Sequence, residues 1–391
     1  MSDSNRVNLA YVKEVTYGTI PGTQMKNLRF TSESLGQDTD STSSQEIRSD
    51  RQVTDLVRTN IKSSGELNGE MSYGAHDDFM EWGLQSAAWS AAVVTAASPT
   101  SLAIGVASGV ATITRVTGSF TTDGFVVGGF IYTTNFTNAS NNGMFGPILS
   151  VGGTTMTVAA GAMIAETADS NATCQQINTI ANGTTANSFF VEKQFQDLSN
   201  KFARYRGQMV DGFKMQFGAT EIATCGFTMM GIREESSAVT GGTGTNLAAA
   251  TGNVMNGIDN VNSFLEGGTA QTGILSLNLQ VANNLRARNQ IGTLGAVSIG
   301  SGTVAVTGTM QAYFTSETLV DKYLNWTQSS IRLVTIDAAL DYYLFDLPAV
   351  KYSNARRVAS GLNQDVIMDM AFTAFMHPTY GKTIYIGRIP L

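Results

Sequence analysis

Two stretches of the chain alternate polar and apolar side chains residue by residue, and this alternation limits the possible folds most strongly. In the first stretch, Gly65–Tyr73, Leu67 and Met71 fall on one side and two glutamates and an asparagine on the other. In the second, Leu275–Val281, leucines and a valine alternate with serine, asparagine and glutamine. A period of two is that of a β-strand with one dry and one wet face. We therefore predict long strands that each present a polar face.

The composition agrees with a β-rich protein that has many tight turns. Only 14% of the 391 residues are charged, whereas about 25% is usual, and 40 residues are glycine. A coiled coil would need alanine, glutamate, lysine, leucine and arginine in bulk. Further strand-like runs lie at 209–217, 225–230, 303–315, 331–335, 342–347, 366–375 and 383–388. The sequence thus predicts a mainly β fold of mostly antiparallel strands.

Two segments depart from the strand period and have helical spacing instead. His76–Trp89 has Asp77 and Asp78 near its start, where the positive end of a helix dipole favours acids. Ser316–Leu324 begins with a serine suited to an N-cap and gathers its apolar residues on one face. We predict one short helix at each place, covering the sheet.

Residues 36 to 60 are polar and charged. Gly36–Ser44 is nearly all glycine, glutamine, aspartate, serine and threonine, which is typical of an exposed loop. Glu46–Arg58 is highly charged and has few apolar residues. Two interpretations of this second segment are open: a solvated loop or ribbon, and a protruding hairpin that docks on a neighbouring subunit.

Residues 91 to 184 differ from their flanks in composition. Alanine, glycine, threonine, serine and valine dominate, and Arg115 is the one basic residue of the segment. Short strand-like runs at 109–116, 125–133, 145–151 and 154–158 are separated by turn residues. We predict a discontinuous β domain formed by 1–90 and 185–391, with a small all-β domain at 91–184 inserted in a surface loop.

No motif in the chain indicates catalysis, a cofactor or a metal. The two histidines, His76 and His377, are far apart and have no partner at metal-ligand spacing. The two cysteines, Cys174 and Cys225, cannot build a disulfide scaffold, and we interpret them as buried thiols in a reducing compartment. We therefore predict that the protein is not an enzyme and uses no cofactor or metal.

Charge and hydropathy argue against two further classes. The net charge is −7, with 24 basic and 31 acidic residues, and no basic patch of the kind that grips DNA phosphates is visible. No run approaches the roughly 18 apolar residues of a membrane helix. The polar segment 1–8 has no apolar core of a signal peptide. We predict no membrane partner and no tight binding to DNA.

Several short motifs, in a fixed order, resemble a family of tail tube proteins from long-tailed, siphovirus-like bacteriophages. The N-terminal motifs are Tyr11–Glu14, Tyr17–Pro21, Leu28–Leu35, Ser44–Arg51 and Gly65–Tyr73. The later ones are Phe120–Phe125, Asn141–Gly143, Asn283–Arg286, Val306–Gly308, Leu347–Pro348 and Asn363–Val366. No single motif is diagnostic; their order and spacing carry the resemblance, which spans nearly the whole chain.

The resemblance implies an antiparallel β-sandwich or half-barrel of the phage tail tube type, with one or two flanking helices and the small inserted all-β domain. Such proteins close into rings, usually six-fold, and the rings stack into the tube through which the genome passes. The implied partners are further copies of the chain, a tape measure protein, a tail terminator, distal tail proteins and double-stranded DNA in transient, non-specific passage. The implied location is the virion tail, after assembly in the host bacterial cytoplasm.

Two groups of residues become candidate sites under this resemblance. A DNA channel needs a wet wall, so the candidate channel-facing residues are Glu66, Asn68, Glu70, Ser276, Asn278 and Gln280. The solvent side of an ordinary sandwich is the alternative for both strands. The candidate inter-subunit loop residues are Glu46, Arg48, Asp50, Arg51 and Arg58. Because a bulky domain in the channel would block it, we expect the insert on the outer surface of the tube.

Two other functions are kept as alternatives. One is another phage structural β protein, such as a capsid decoration protein or a secretion-type tube. The remote one is a virion enzyme that degrades glycans, which needs two carboxylates opposed across a sugar. Asp77 and Glu234 are the residues whose replacement would test it.

Overall fold

Antiparallel strands dominate the computed structural model, which describes residues 2–95, 101–159, 163–359 and 361–389. Residues 96–100 and 160–162 of the predicted insert therefore lie outside the described residues. Contacts divide the chain into two units. Unit 1 comprises Met1–Ala87, Gly183–Ile258 and Ser276–Met310, and unit 2 comprises Ala88–Asn182, Asp259–Leu275 and Gln311–Leu391.

The strands and helices follow one another along the chain in four groups. The first comprises β1 (Val7–Lys13), β2 (Lys26–Asn27), β3 (Ser32–Glu33), β4 (Gly36–Ser43), β5 (Leu56–Glu70) and α1 (Asp77–Gly83). The second comprises β6 (Val93–Val94), β7 (Leu102–Ala107), β8 (Val110–Arg115), α2 (Phe120–Asp123), β9 (Phe130–Thr134), β10 (Phe145–Val151), β11 (Thr155–Ala159), β12 (Glu166–Asp169), β13 (Thr173–Gln176) and β14 (Asn178–Ala181). The third comprises β15 (Phe189–Phe195), β16 (Phe202–Gly218), β17 (Thr224–Gly231) and β18 (Arg233–Ser237). The fourth comprises β19 (Val261–Glu266), β20 (Thr269–Ala270), β21 (Ile274–Ala282), β22 (Arg286–Arg288), β23 (Ser298–Gly300), β24 (Ala305–Tyr313), α3 (Thr318–Leu324), β25 (Ser329–Ile336), β26 (Tyr342–Ala359), β27 (Val366–Ala374) and β28 (Tyr385–Ile389).

Unit 1 is built around the long strand β16. The first half of β16 pairs with β15 on one side and β18 on the other, and the second half pairs with β21 and β17. Strand β15 also pairs with β1, and β17 also pairs with β5, which in turn pairs with β3 and β4. All of these pairings are antiparallel, as the alternating sequence pattern predicts.

Helix α1 closes the core of unit 1 with aromatic side chains. Phe79 is fully buried, and its ring lies 4.9 Å from Tyr11 and 5.3 Å from Phe189, measured between centroids. The helix ends at Gly83, well before the predicted end at residue 89, because Gln85 has a φ of 50°, which helical backbone does not adopt. The predicted helix is therefore confirmed, but it is shorter than predicted.

A buried histidine in unit 1 makes stability depend on pH. The His76 ring is 1% exposed, and its Nε2 lies 3.1 Å from the Arg29 carbonyl oxygen, to which the neutral ring donates. Burial lowers the pKa of His76 from 6.5 to about 4. Between pH 6.5 and about 4, His76 is therefore protonated in the unfolded chain and neutral in the folded chain. The free energy of unfolding consequently falls as the pH falls through this range.

We expect replacement of this histidine to flatten the pH profile of unfolding. Between pH 6.5 and about 4, the free energy of unfolding of the wild type should drop by about 2 kcal/mol more than that of His76→Gln. Urea titrations of the unassembled protein at several pH values measure the difference. Parallel pH profiles for the two proteins would show that His76 is not the group responsible.

Unit 2 contains two sets of strands. One is an eight-stranded sheet in the order β12-β7-β8-β11-β10-β9-β13-β6, all from the predicted insert. The other is centred on β26, which pairs with β25, β27 and β28, while β19 pairs with β25 and β14 with β28. Phe130 and Phe145 of the first set pack in one apolar cluster with Val334 and Leu344 of the second. The boundary of an independently folding insert stays a prediction.

One local prediction was wrong, and the predicted burial of the two cysteines is confirmed. Gly36–Ser43 is strand β4 rather than an exposed loop; nearly all its side chains are exposed, so neither face has the apolar residues that reveal a strand.

Cys174 and Cys225 are both buried and free. Burial raises the pKa of both thiols, that of Cys225 to about 12, so neither is a reactive thiolate.

Candidate functional site: a polar sheet face in unit 1

Strands β5, β17, β16 and β21 lie side by side, and their registers align the side chains of one face. Asn68 lies opposite Gly226 on β17, Gly226 opposite Lys214 on β16, and Lys214 opposite Gln280 on β21. Because side chains alternate between the two faces of a sheet, every second residue belongs to the same face. We call this surface the polar face, and its polar members are Glu66, Asn68, Glu70, Lys214, Gln216, Thr224, Thr228, Ser276, Asn278 and Gln280.

The structure thus places all six candidate channel-facing residues on one surface. Glu66, Asn68 and Glu70 come from β5, and the other three come from β21, about two hundred positions later in the chain. The opposite face of the same strands is buried and apolar, with Leu67, Phe213, Met215, Phe227, Leu277 and Leu279. The sheet thus has one buried and one polar face, as the alternation predicts. That the polar face borders a channel stays a prediction.

An ion pair crosses the polar face over a glycine. The Lys214 ammonium lies 2.5 Å from a Glu66 carboxylate oxygen, two strands away. Gly226 lies between them, and a Cβ there would come within 2.7 Å of Lys214 Cε and 2.6 Å of the Asn68 amide oxygen. The bare backbone at Gly226 therefore gives the lysine room to reach the glutamate.

Hydrogen bonds continue the polar face to the strands on both sides. The Asn278 amide donates to the Thr309 hydroxyl on β24 at 3.2 Å, and the Asn68 amide donates to the Ser32 hydroxyl on β3 at 3.3 Å. The charged members of the face are Glu66, Glu70 and Lys214, two acids against one base. The face therefore carries a net charge of −1, and its one base is neutralised by Glu66.

The candidate inter-subunit residues lie at the far end of the β4–β5 hairpin. Arg58 is in β5, and the others lie in the connection 44–55, where Arg48 and Asp50 form an exposed ion pair at 2.6 Å. The hydrogen bonds from Arg48 lower the pKa of Asp50. Ile47 and Val53 in the same connection are largely exposed. The segment is thus a hairpin tip, and its docking on a neighbour stays a prediction.

Four members of the polar face were missed by sequence reasoning. Lys214 and Gln216 lie in a run whose apolar residues were noticed and whose polar residues were not. Thr228 lies in the predicted strand 225–230, to which no polar face was assigned, and Thr224 lies one residue before it, where β17 begins. The alternation itself was the signal that would have found all four.

The other sequence candidates do not converge on a reactive centre. Asp77 is buried in the first turn of α1, and Glu234 lies on β18. Within 2–95, 101–159, 163–359 and 361–389, the acidic, histidine and cysteine side chains form no group of three that could hold a metal ion. No helix in the same residues has both the length and the hydropathy to cross a membrane.

Antiparallel sheets and few helices define a mainly β protein. A model of a family described as phage tail tube protein matches residues 4–374. The chain therefore belongs to the phage tail tube protein family, a component of the virion tail. A comparison with curated proteins gave no match. The predicted family and the predicted mainly β, antiparallel fold are both confirmed.

Proposed function

We propose that copies of this chain assemble into stacked rings, each a hexameric arrangement of tube folds, whose channel conducts DNA into the host. The observation that carries the proposal is the polar face, a continuous wet wall of four strands on an otherwise apolar sheet. The protein performs no chemistry in this role. Its partners are other copies of itself and, by family, the tape measure, tail terminator and distal tail proteins, and it assembles in the host cytoplasm.

The dimensions of such a ring suit double-stranded DNA. Six folds with four channel-facing strands each give about 24 strands, which at ~4.8 Å spacing and a tilt of about 40° make a circumference of roughly 150 Å. The backbone diameter is then about 48 Å, and roughly 40 Å remain after side chains. A duplex of about 20 Å passes with room for water on all sides.

The charge of the polar face suits passage rather than binding. DNA affinity rises with each phosphate that a lysine or arginine neutralises. Lys214 is the one basic residue of the polar face, and it forms an ion pair with Glu66. A weakly acidic wall repels the duplex slightly and leaves few attractive contacts to break, so the DNA slides.

Immunogold labelling of intact phage particles tests the location. Antibodies against the purified chain should place gold along the tail shaft. Gold on the capsid would instead indicate a decoration protein. As a control, antibodies against the major capsid protein of the same particles should label the head alone.

A further inference from the structure

The chain contains the same series of elements twice. The first series is β1, the β4–β5 hairpin, α1, β15, β16, β17 and β18. The second is β19, the paired strands β21 and β24, α3, β25, β26, β27 and β28. The two helices have seven residues each, and α1 packs on β16 as α3 packs on β26.

The strand pairings of the two series are the same. Strand β15 lies between β1 and β16, and β25 lies between β19 and β26. The second half of β16 pairs with β17, and the second half of β26 pairs with β27. Strand β18 pairs with the start of β16, and β28 pairs with the start of β26. Finally, β17 pairs with β5, and within unit 2 the Gln311 amide at the end of β24 donates a hydrogen bond to Asp369 on β27.

The β-bulges of the two long strands, β16 and β26, also lie at corresponding positions. Strand β16 has extra residues between positions 205 and 208 and again at 211, and β26 has them between 347 and 350 and again at 353. Each bulge in β26 therefore lies 142 positions after its counterpart in β16. A bulge re-aims a strand at a defined place, so two bulges at the same spacing are a strong sign of one fold repeated.

A buried glutamate marks the same place in both series. Glu14, just after β1, accepts a hydrogen bond from the Ser188 hydroxyl at 2.7 Å, at the start of β15. Glu266, at the end of β19, accepts one from the Ser329 hydroxyl at 2.5 Å, at the start of β25. The repetition thus extends from strand order to individual side chains.

We infer that one chain supplies two tube folds, so that a ring of six folds closes with three chains. This inference rests on the proposed tube function, and it adds the number of chains and the surface that joins them. A ring made of identical head-to-tail contacts closes when the rotation at each contact divides the circle. Three chains then give a threefold ring with six similar folds.

The joining surface follows from a contact within unit 1. In unit 1, β15 pairs with only the first part of one edge of β16. The rest of that edge pairs with residues 276–282 of β21, which is the first strand of the hairpin in the second series. On β26, residues 354–359 pair with β27 on one side, and their other edge has no strand partner among the described residues. Strand β4, in the hairpin that corresponds to β21 and β24, pairs with β5 alone within the described part of the chain.

Unpaired strand edges are templates for another strand. We therefore assign the edge formed by β3 and β4 of one copy to the β26 edge of the next copy. The charges are complementary, because β4 carries Asp38 and the end of β26 carries Arg356, whereas Arg357 already pairs with Glu317 in its own chain. The partner is a second copy of this chain.

The repeat also fixes the register of this contact. Lys214 and Arg356 are counterparts, and opposite them lie Gly226 and Asp369. In the first series, Asn68 lies opposite Gly226 on the next strand. In the second series, Gln311 donates a hydrogen bond to Asp369, so Gln311 occupies the position that Asn68 occupies in the first. The same correspondence makes position 36 on β4 the counterpart of position 280 on β21. Since Gln280 lies opposite Lys214, Gly36 of one copy lies opposite Arg356 of the next.

A pair of cysteines tests both the register and the chain count. In Gly36→Cys/Arg356→Cys, facing Cβ atoms of adjacent antiparallel strands lie about 4.5–5.5 Å apart, close to disulfide range. A Cβ at position 36 meets no atom within 4 Å, so the site tolerates it. Oxidised tubes should give a denaturing-gel ladder that ends at three chains. The matched control, Gln37→Cys/Arg356→Cys, should cross-link far less, because Gln37 points to the other side of the sheet.

The outcomes separate this inference from the tube function. A ladder that continues to six chains, or rings of the unmodified protein that contain six chains by native mass measurement, would overturn the inference and leave the tube intact. Tubes that form normally but do not cross-link at Gly36/Arg356 would overturn the assigned edge. Absence of any ring from unmodified virions would instead overturn the proposed function.

Discussion

Phage carrying Glu70→Lys should eject its genome about tenfold more slowly than the wild type at low salt. Glu70 lies on the polar face and forms no ion pair within 4 Å among the described side chains, so the lysine adds a free positive charge. In the proposed tube, each ring repeats the charge and the rings are stacked, so the DNA would meet it many times. Each phosphate neutralised by a lysine adds affinity through counterion release. The moving duplex must break these contacts one after another.

The measurement is real-time ejection into a solution containing a DNA-binding dye, at low and high salt. High salt should restore much of the lost rate, because counterion release weakens as salt rises. Glu70→Gln is the matched control: it removes the negative charge without adding a positive one and should eject at nearly the wild-type rate. Tails of normal length that eject at the wild-type rate with Glu70→Lys would show that this face does not meet DNA.

Glu266→Ala should cost about 3–5 kcal/mol of folding stability. Glu266 is 1% exposed and joins four elements of unit 2. It accepts hydrogen bonds from the Lys322 ammonium at 2.5 Å, the Ser329 hydroxyl at 2.5 Å and the Tyr352 hydroxyl at 2.9 Å. Burial, together with this carboxylate, raises the pKa of Tyr352. Without Glu266, three partners lose their acceptor in a place that water scarcely reaches.

Urea unfolding of the unassembled protein measures the loss, and a second ion pair of unit 2 provides the control. Glu317 pairs with Arg357 at 2.7 Å, with side chains 55% and 44% exposed. Glu317→Ala should therefore cost about 1 kcal/mol or less, as exposed pairs do. Equal losses for Glu266→Ala and Glu317→Ala would contradict the account of the buried network.

The sequence predicted strands well where one face is dry. β21 and the end of β5 alternate regularly, and both were predicted. β4 was missed because Gln37, Asp38 and their neighbours are polar on both faces and exposed. β26 was predicted only as far as residue 347, because the bulges between 347 and 353 shift the alternation. A period-two pattern fails where a strand has no dry face and where an extra residue breaks it.

From the sequence, the polar face could be predicted only as two separate strand faces, one on β5 and one on β21. The sequence shows Glu66 and Asn278 as members of wet strand faces, but their common surface depends on β16 and β17 lying between them. Pairing between strands that are far apart in sequence is set by register across the whole sheet, which no local pattern contains. The repeated fold was missed for a related reason: the two series share pairings and bulges rather than an obvious repeat of residues.

A cryo-EM reconstruction of the tail shaft tests the central claim most directly, because it shows which sheet surface borders the channel. We predict that Glu66, Asn68, Glu70, Ser276, Asn278 and Gln280 point into a lumen wide enough for duplex DNA. A tube whose lumen is lined by other strands, with this face turned outward or buried between subunits, would contradict the account.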